Sequence, residues 1–165
     1  MSEAFEVNVD EAVKTYADMV YRLAVLNMKN VPDAEDVFQE VFLKLLRYKK
    51  TIISEEHLKA WLIRVTLNQC KSKAMLNWNK RVVSLDEVAE ASAPEEKEDY
   101  SEVYEAVRNL PQKYREVIYL YYYDGYKINE IADILQRSEA TIKTQLSRGR
   151  GLLNNTLKGE FGDAE

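Results

Sequence analysis

Residues 128–152 carry the sequence INEIADILQRSEATIKTQLSRGRGL, and this stretch decides the fold of the second half of the chain. Apolar residues recur every three or four positions over Ile128–Leu135 and again from Glu139 onward, which predicts two helices. The three residues Gln136–Ser138 lie between them, and Ser138 is a suitable N-cap for the second helix. A short helix, a three-residue turn and a longer helix form the layout of a helix-turn-helix.

The last helix has one apolar face and one small, polar, cationic face. At 100° per residue, the apolar face holds Ile142, Leu146, Gly149, Leu153 and Leu157. The opposite face holds Ala140, Thr141, Thr144, Ser147, Arg148 and Gly151. Such a face fits a DNA major groove, with Lys143 and Arg150 at its flanks for phosphates. A helical hairpin with a solvated basic face has the same periodicity, so the pattern alone leaves both alternatives open.

Helical periodicity also extends over the rest of the chain, and no segment alternates as a strand would. We predict further helices at about 11–29, 33–48, 55–78, 100–110 and 112–123. The three prolines, Pro32, Pro94 and Pro111, lie between these segments, where a missing N–H does least harm. The second helix carries a broad apolar stripe of Ala34, Val37, Phe38, Val41, Phe42, Leu45 and Leu46. The first two helices are expected to form a hairpin with its turn at Pro32-Asp33.

The predicted third helix has two apolar faces. One holds Leu58, Trp61, Leu62 and Val65, and the other holds Ile63, Leu67, Cys70 and Ala74. We therefore expect this helix to be wedged between neighbours. The remaining stripe consists of Arg64, Asn68, Lys71, Met75 and Trp78. An aromatic ring beside cations and an amide suits the binding of unstacked bases in a single strand.

Charge is distributed unevenly along the chain, whose net charge is −5. Residues 51–82 contain six Lys or Arg against two Asp or Glu, residues 83–105 contain one against nine, and residues 137–158 contain five against one. Val82–Pro94 shows no usable periodicity and is interpreted as a linker. We predict an all-α protein with two small helical domains, at 1–80 and 100–165, joined by an acidic linker at 81–99. A net acidic chain binds DNA poorly alone, so a partner is expected to bring it there.

Several classes of protein are excluded by composition. All the glycines follow residue 124, which leaves no phosphate-binding glycine loop of the P-loop or Rossmann type in the first three quarters of the chain. The single cysteine, Cys70, and single histidine, His57, predict neither a disulfide nor a zinc site, and no cofactor is expected. His57 has no plausible nucleophile partner, so we expect no enzymatic activity. Without a signal peptide or a membrane span, a cytoplasmic location is expected.

Residues 110–152 closely resemble region 4 of bacterial extracytoplasmic-function (group IV) sigma factors of the sigma-70 family. The resemblance runs from LPQKYREV at 110–117 through EIA at 130–132 to TIKTQLSRGR at 141–150. It implies that the last helix enters the major groove at the −35 promoter element through Lys143, Thr144, Ser147 and Arg148, with Thr141 and Arg150 beside them. The sequence departs from the family at four positions. Gln136 and Ala140 replace common glycines, Arg137 replaces an apolar turn residue, and Gln145 replaces a frequent arginine.

The first half of the chain resembles region 2 of the same family. Residues 33–42, DAEDVFQEVF, are similar to its Asp-Ala-Glu-Asp…Gln-Glu-x-Phe signature, and residues 60–68 are similar to regions 2.3–2.4. The resemblance implies docking on the clamp helices of the polymerase β′ subunit, through a polar strip of Asp36, Gln39, Glu40, Leu43 and Arg47 opposite the apolar stripe. It also implies capture of the non-template strand of the −10 element by Trp61, Arg64, Asn68, Lys71 and Trp78.

The resemblance therefore implies a sigma factor that binds core RNA polymerase, recognises the −35 element and opens the −10 element. The implied partners are core polymerase, through its β′ clamp helices and β flap, promoter DNA and an anti-sigma factor, with no direct membrane insertion. Two alternatives stay open. One is an autonomous helix-turn-helix repressor, and the other is a helical adaptor whose basic faces bind acidic proteins.

Overall fold

Seven α-helices build the part of the chain described by the structure, a computed structural model that covers residues 4–83 and 102–161. The chain divides into two compact units, Met1–Glu95 and Glu96–Glu165. None of the described residues forms a strand, which confirms the predicted all-α class. The predicted acidic linker, 81–99, lies outside the described residues except for 81–83. Those three residues are helical.

Three helices form the first unit, with α1 at Val9–Asn27, α2 at Val31–Tyr48 and α3 at Glu55–Val83. A single 3₁₀ turn, Lys49–Thr51, follows α2. Asn30 caps α2, because its side-chain oxygen accepts a hydrogen bond from the Asp33 backbone N–H at 2.9 Å. The predicted turn at Pro32-Asp33 was therefore wrong. Pro32 belongs to the first turn of α2, where its missing N–H needs no partner.

Helix α3 packs against both α1 and α2, as its two apolar faces predicted. Leu58, Leu62, Ile63, Leu67 and Cys70 are all buried on it. Ala74 is exposed, contrary to expectation. Ala74 lies level with the first turn of α2, whose Asp33 contacts both Lys73 and Asn77, but its own side of α3 is not covered by a neighbouring helix of this unit. Leu46 is also exposed, because the buried face of α2 includes Leu45 and does not extend around the helix to Leu46.

The second unit is organised around its last helix. Its elements are α4 at Glu102–Arg108, α5 at Gln112–Ile118, a π-helical segment at Tyr119–Tyr123, α6 at Ile128–Leu135 and α7 at Glu139–Phe161. Helix α7 packs against α4, α5 and α6. The largest fully buried apolar side chains of this unit are Ile118, Leu120, Ile131, Ile142 and Leu146. Pro111 precedes α5 as its N-cap.

The segment predicted as one helix, 112–123, changes its hydrogen bonding after Ile118. The Asp124 N–H bonds to the Tyr119 carbonyl five residues earlier, at 3.2 Å, which widens the last turn. Tyr119 is buried and stacks on the exposed Tyr123, with 5.1 Å between ring centroids. Partial burial raises the pKa of the Tyr123 phenol above its ordinary value. Gly125, with a φ of 74°, then ends the element.

Among the residues with described coordinates, no helix has the length and apolar character needed to cross a bilayer. In the same residues, no group of His, Cys, Asp or Glu side chains is arranged to hold a metal ion.

Candidate nucleic-acid interface

The turn between α6 and α7 has the geometry that the sequence predicted. Gln136 ends α6 in the left-handed conformation, with a φ of 56°. Ser138 caps α7, because its hydroxyl oxygen accepts a hydrogen bond from the Thr141 backbone N–H at 3.1 Å. Glu139 places a carboxylate at the positive end of the following helix. The conformation of Gln136 therefore ends α6, and the Ser138 cap begins α7, which together form the turn of the helix-turn-helix.

Helix α7 has the two faces that its periodicity predicted. Ile142, Leu146 and Gly149 are buried. The residues expected to face outward are all exposed, namely Ala140, Thr141, Thr144, Ser147, Arg148 and Gly151. Lys143 and Arg150 are exposed at the flanks of this face. The surface is thus free of bulky apolar groups over three turns, which is what insertion into a major groove requires.

Gly149 brings α7 close to α5. A Cβ atom at this position would lie 2.9 Å from Cγ1 and 3.1 Å from Cδ1 of Ile118. Close approach of the two helices therefore depends on the missing side chain. The contact holds the middle of α7 against the core and directs its opposite side outward.

Several polar groups on the outward face already have partners. The Thr141 hydroxyl lies 2.8 Å from the Ser138 hydroxyl, and the Thr144 hydroxyl donates to the Ala140 carbonyl at 3.0 Å. Arg150 Nη1 donates to the Tyr122 hydroxyl at 3.0 Å. Within the described part of the chain, the side chains of Lys143, Ser147 and Arg148 make no hydrogen bond or ion pair. These three are the groups most available to an incoming ligand.

Helix α5 contributes two residues that sequence reasoning missed. Lys113 and Tyr114 line a shallow open concavity together with Ala140, Thr141, Thr144, Gln145 and Arg148 of α7. Lys113 is exposed, and its Nζ lies 5.1 Å from the centroid of the Tyr114 ring. A cation at the edge of the α7 face suits a phosphate contact. The sequence signal for Lys113 and Tyr114 is the basic stretch PQKYR at 111–115, which was used only for the family resemblance.

Sequence reasoning also missed a set of three hydrogen-bonded polar side chains that joins α5, the turn and α7. Glu116 on α5 is buried, and its carboxylate accepts a hydrogen bond from Arg137 Nη2 in the turn. Arg137 Nη1 donates to Gln145 Oε1 on α7 at 3.0 Å. Arg137 and Gln145 were both noted only as departures from the family pattern. The structure brings these two departures together.

The α3 stripe expected to bind unstacked bases is largely on the surface. Asn68, Lys71, Met75 and Trp78 are exposed, and the Trp78 side chain is 63% exposed. Arg64 is half-buried. Trp61 is half-buried as well and packs against the core of the first unit. Trp61 therefore contributes to packing, and the open part of the stripe begins at Asn68.

The polar strip on α2 is also on the surface. Gln39 and Arg47 are exposed and Glu40 is half-buried, while Leu43 is 54% exposed. Asp36 forms an ion pair with Lys73 of α3 at 3.1 Å. Two further bonds join the same helices, Lys44 Nζ to Gln69 Oε1 at 2.8 Å and Asn77 Nδ2 to Asp33 Oδ2 at 2.8 Å. The strip therefore borders on a polar seam that fixes α2 on α3.

Comparisons with known proteins give the class of the chain. Residues 12–79 match the family Sigma-70 region 2, and residues 100–153 match the family Sigma-70, region 4. The RNA polymerase sigma factor SigV of Bacillus subtilis is 30% identical over 143 residues, with 85% of each chain covered. The ECF RNA polymerase sigma factor SigW of the same species is 29% identical over 164 residues, covering 90% of this chain and 88% of SigW.

The fold is shared with a solved sigma factor. The structure of RpoE in complex with the anti-sigma factor NepR, from Bartonella quintana, superposes with a TM-score of 0.73 at 24% identity, covering 90% of this chain and 96% of RpoE. The chain belongs to the sigma-70 family of RNA polymerase sigma factors, within the extracytoplasmic-function group.

Proposed function

We propose that this sigma factor directs promoter-specific initiation by reading the −35 element with α7 and holding the opened −10 element with α3. The observation that carries the proposal is the outward face of α7, which is exposed, cationic and free of bulky groups, and lies on a helix-turn-helix with a buried apolar core. We assign residues 100–165 to this role, residues 1–80 to polymerase and −10 binding, and residues 81–99 to the linker.

In the −35 site, Arg148 and Ser147 donate to base edges from the centre of the face, and Lys143 binds a phosphate at its flank. Arg150 binds a phosphate as well, with its guanidinium held by the Tyr122 hydroxyl. Thr141 and Thr144 have hydroxyls that bond locally, so they contribute their methyl groups and remaining lone pairs. Lys113 of α5 adds a further phosphate contact. This division follows the general rule that phosphate contacts position a protein and base contacts specify the sequence.

In the −10 site, Asn68, Lys71 and Trp78 form the open surface. The exposed Trp78 ring offers a stacking platform, and the exposed Lys71, about two turns earlier on the same face of α3, binds the backbone of the displaced strand. Arg64 supports the site from a half-buried position, and Trp61 supports it through the core of the first unit.

The polymerase-docking surface in this proposal is the α2 strip of Asp36, Gln39, Glu40, Leu43 and Arg47. Leu43 is its anchor, because an exposed aliphatic side chain inside a polar strip gains most from burial at an interface. The β′ clamp helices of core polymerase are the proposed partner of this strip, and the β flap that of the second unit. An anti-sigma factor is a further proposed partner, supported by the complex in which the related RpoE was solved.

Run-off transcription tests the proposal. Core polymerase with this chain should produce discrete transcripts from genomic fragments, beginning with the region upstream of its own gene, and core polymerase alone should not. Absence of discrete transcripts from a library covering the genome would defeat it.

Duplex binding by the free chain separates the proposal from its alternatives. We expect the isolated chain, with its net charge of −5, to bind promoter duplex weakly and with steep salt dependence. Tight sequence-specific binding at physiological salt without polymerase would favour an autonomous repressor. Binding of acidic proteins with no transcription would favour an adaptor.

A further inference from the structure

The side-chain amide of Gln145 has a fixed orientation. Arg137 Nη1 lies 3.0 Å from one terminal atom of that amide, and a guanidinium has donors only. The facing atom must therefore be the carbonyl oxygen Oε1, because the amide nitrogen cannot accept. Arg137 is itself held by the buried Glu116 carboxylate through its other terminal nitrogen. The hydrogen bond from Arg137 thus fixes which end of the Gln145 amide faces the turn, and it engages one of the two lone pairs of Oε1.

The amide nitrogen of Gln145 is left as the group available for recognition. No acceptor for Nε2 is present among the described residues. Gln145 is half-buried and lines the concavity that Thr141, Thr144 and Arg148 also line. At 100° per residue it lies about 40° from Thr141 and about 60° from Arg148 around the helix axis. It therefore stands at the edge of the face that we assign to the major groove.

We propose that Gln145 is a specificity-determining residue of the −35 site that donates its amide N–H to a base edge, and that Arg137 is the residue that positions it. A glutamine whose amide can turn either way can accept from the amino group of adenine or cytosine as well as donate. With Oε1 held against Arg137, Nε2 is the atom left for the base edge, and it can donate to N7 of adenine, to O6 or N7 of guanine or to O4 of thymine, but not to cytosine, whose N4 amino group is itself a donor. The inference rests on the proposed function, because it requires α7 to lie in the −35 groove.

Selection from a randomised promoter library tests this inference on the holoenzyme. Core polymerase carrying the full chain would transcribe a library randomised over the −35 region, with sequencing of the templates that give product. Gln145→Ala is compared with wild type, and Asn155→Ala, an exposed amide in a later turn of α7, is the matched control. Gln145→Ala should reduce base preference at one −35 position by roughly three- to tenfold, the size of one hydrogen bond. Wild type should disfavour cytosine there.

Arg137→Lys tests the positioning role without leaving Glu116 unpaired. The lysine keeps the positive charge beside the carboxylate but lacks the planar fork that reaches two acceptors at once. Gln145 Oε1 is then released and can accept from the cytosine amino group, so cytosine should be tolerated at the same −35 position while the preferences elsewhere stay unchanged. A profile identical with wild type would overturn positioning by Arg137. Circular dichroism of the variant verifies that its helices are intact.

The outcomes distinguish this inference from the proposed function. If Gln145→Ala changes no position while wild type still enriches particular −35 bases, or if the position that it flattens prefers cytosine in wild type, the inference fails alone. If wild-type holoenzyme initiates without enriching any −35 base, the role assigned to α7 fails, and the inference fails with it.

Discussion

Arg137, in the turn before α7, forms an ion pair with Glu116 on α5, a residue that is 2% exposed. The pair joins the turn of the helix-turn-helix to the helix behind it. A carboxylate removed from water costs several kcal/mol unless it is paired and hydrogen-bonded. Gln112 adds a weaker bond to the same carboxylate, at 3.4 Å. The position of α7 therefore depends on a polar contact as well as on the apolar core.

Removing one partner of this pair should destabilise the second unit. We expect Arg137→Ala to lower its free energy of unfolding by about 3–5 kcal/mol, because Glu116 is left buried and unpaired. The double variant Glu116→Met/Arg137→Met should recover most of that loss, since no buried charge remains. Urea unfolding monitored by hydrogen exchange of the α5–α7 peptides measures both. A loss below about 1 kcal/mol in Arg137→Ala would contradict the structure.

Substitution of Gln136 with glycine should stabilise the second unit. Its φ of 56° is in the left-handed region, where a Cβ atom costs about 1 kcal/mol or more. We therefore expect Gln136→Gly to raise the free energy of unfolding by about 1 kcal/mol. Gln136→Ala is the control, because it keeps the Cβ atom and should give no such gain. The thermal unfolding midpoints of wild type, Gln136→Gly and Gln136→Ala test this expectation, and equal midpoints would argue against the left-handed turn.

The two glycines of α7 should respond differently to alanine. Gly151 is exposed, and a Cβ atom there would meet nothing within 4 Å. We expect Gly151→Ala to stabilise the helix by up to about 1 kcal/mol. Gly149→Ala has the same gain in helix propensity, but its methyl group would press on Ile118, so it should be less stable than Gly151→Ala by about 1–3 kcal/mol. Chemical denaturation of both variants tests this order, and the reverse order would contradict close packing of α7 on α5.

Leu43 should contribute to the affinity for core polymerase and not to folding stability. Its side chain is 54% exposed, so Leu43→Asp should leave the unfolding midpoint nearly unchanged while weakening competition for core polymerase by at least tenfold. Ile53→Asp is the matched control, because Ile53 is 76% exposed in the same unit and lies off the strip. Competition against a labelled sigma factor gives the affinity. Equal competition by Leu43→Asp and wild type would place docking elsewhere. Asp36 is a poorer probe, since reversing its charge also breaks the ion pair with Lys73.

The two DNA-binding surfaces should fail in different ways. Arg148→Ala should reduce discrimination between a cognate and a mutated −35 element by about 1–3 kcal/mol, and should still allow initiation on a template whose −10 region is already open. Asn68→Ala and Trp78→Ala should spare −35 discrimination and slow opening of the duplex, because an aromatic is worth about 1–3 kcal/mol for each stacked base. Transcription on duplex and on pre-melted promoters separates the two, and the same defect for all three variants on both templates would contradict the assignment.

Helix content and the direction of the faces were predictable from the sequence because both depend on local order. The three- and four-residue spacing of Ile142, Leu146 and Gly149 is enough to say which side of α7 is buried, and Ser138 beside Glu139 is enough to say where the helix begins. The family followed from short motifs that keep their order along the chain. The exposure of Leu43 was predictable because this residue lies on the polar face of α2, which points away from the core of the first unit.

Contacts between residues far apart in sequence were decided only by the tertiary structure. Glu116 and Arg137 are 21 residues apart, and no local pattern shows that a glutamate in an apolar stretch is buried against an arginine in a turn. The partial burial of Trp61 and the exposure of Ala74 depend on which sides of α3 the neighbouring helices cover, and periodicity along α3 does not contain that information. The pairing of Arg137 with Gln145 has the same origin. Side-chain periodicity depends on the helix alone, whereas a hydrogen bond between elements depends on the angle and distance at which they pack.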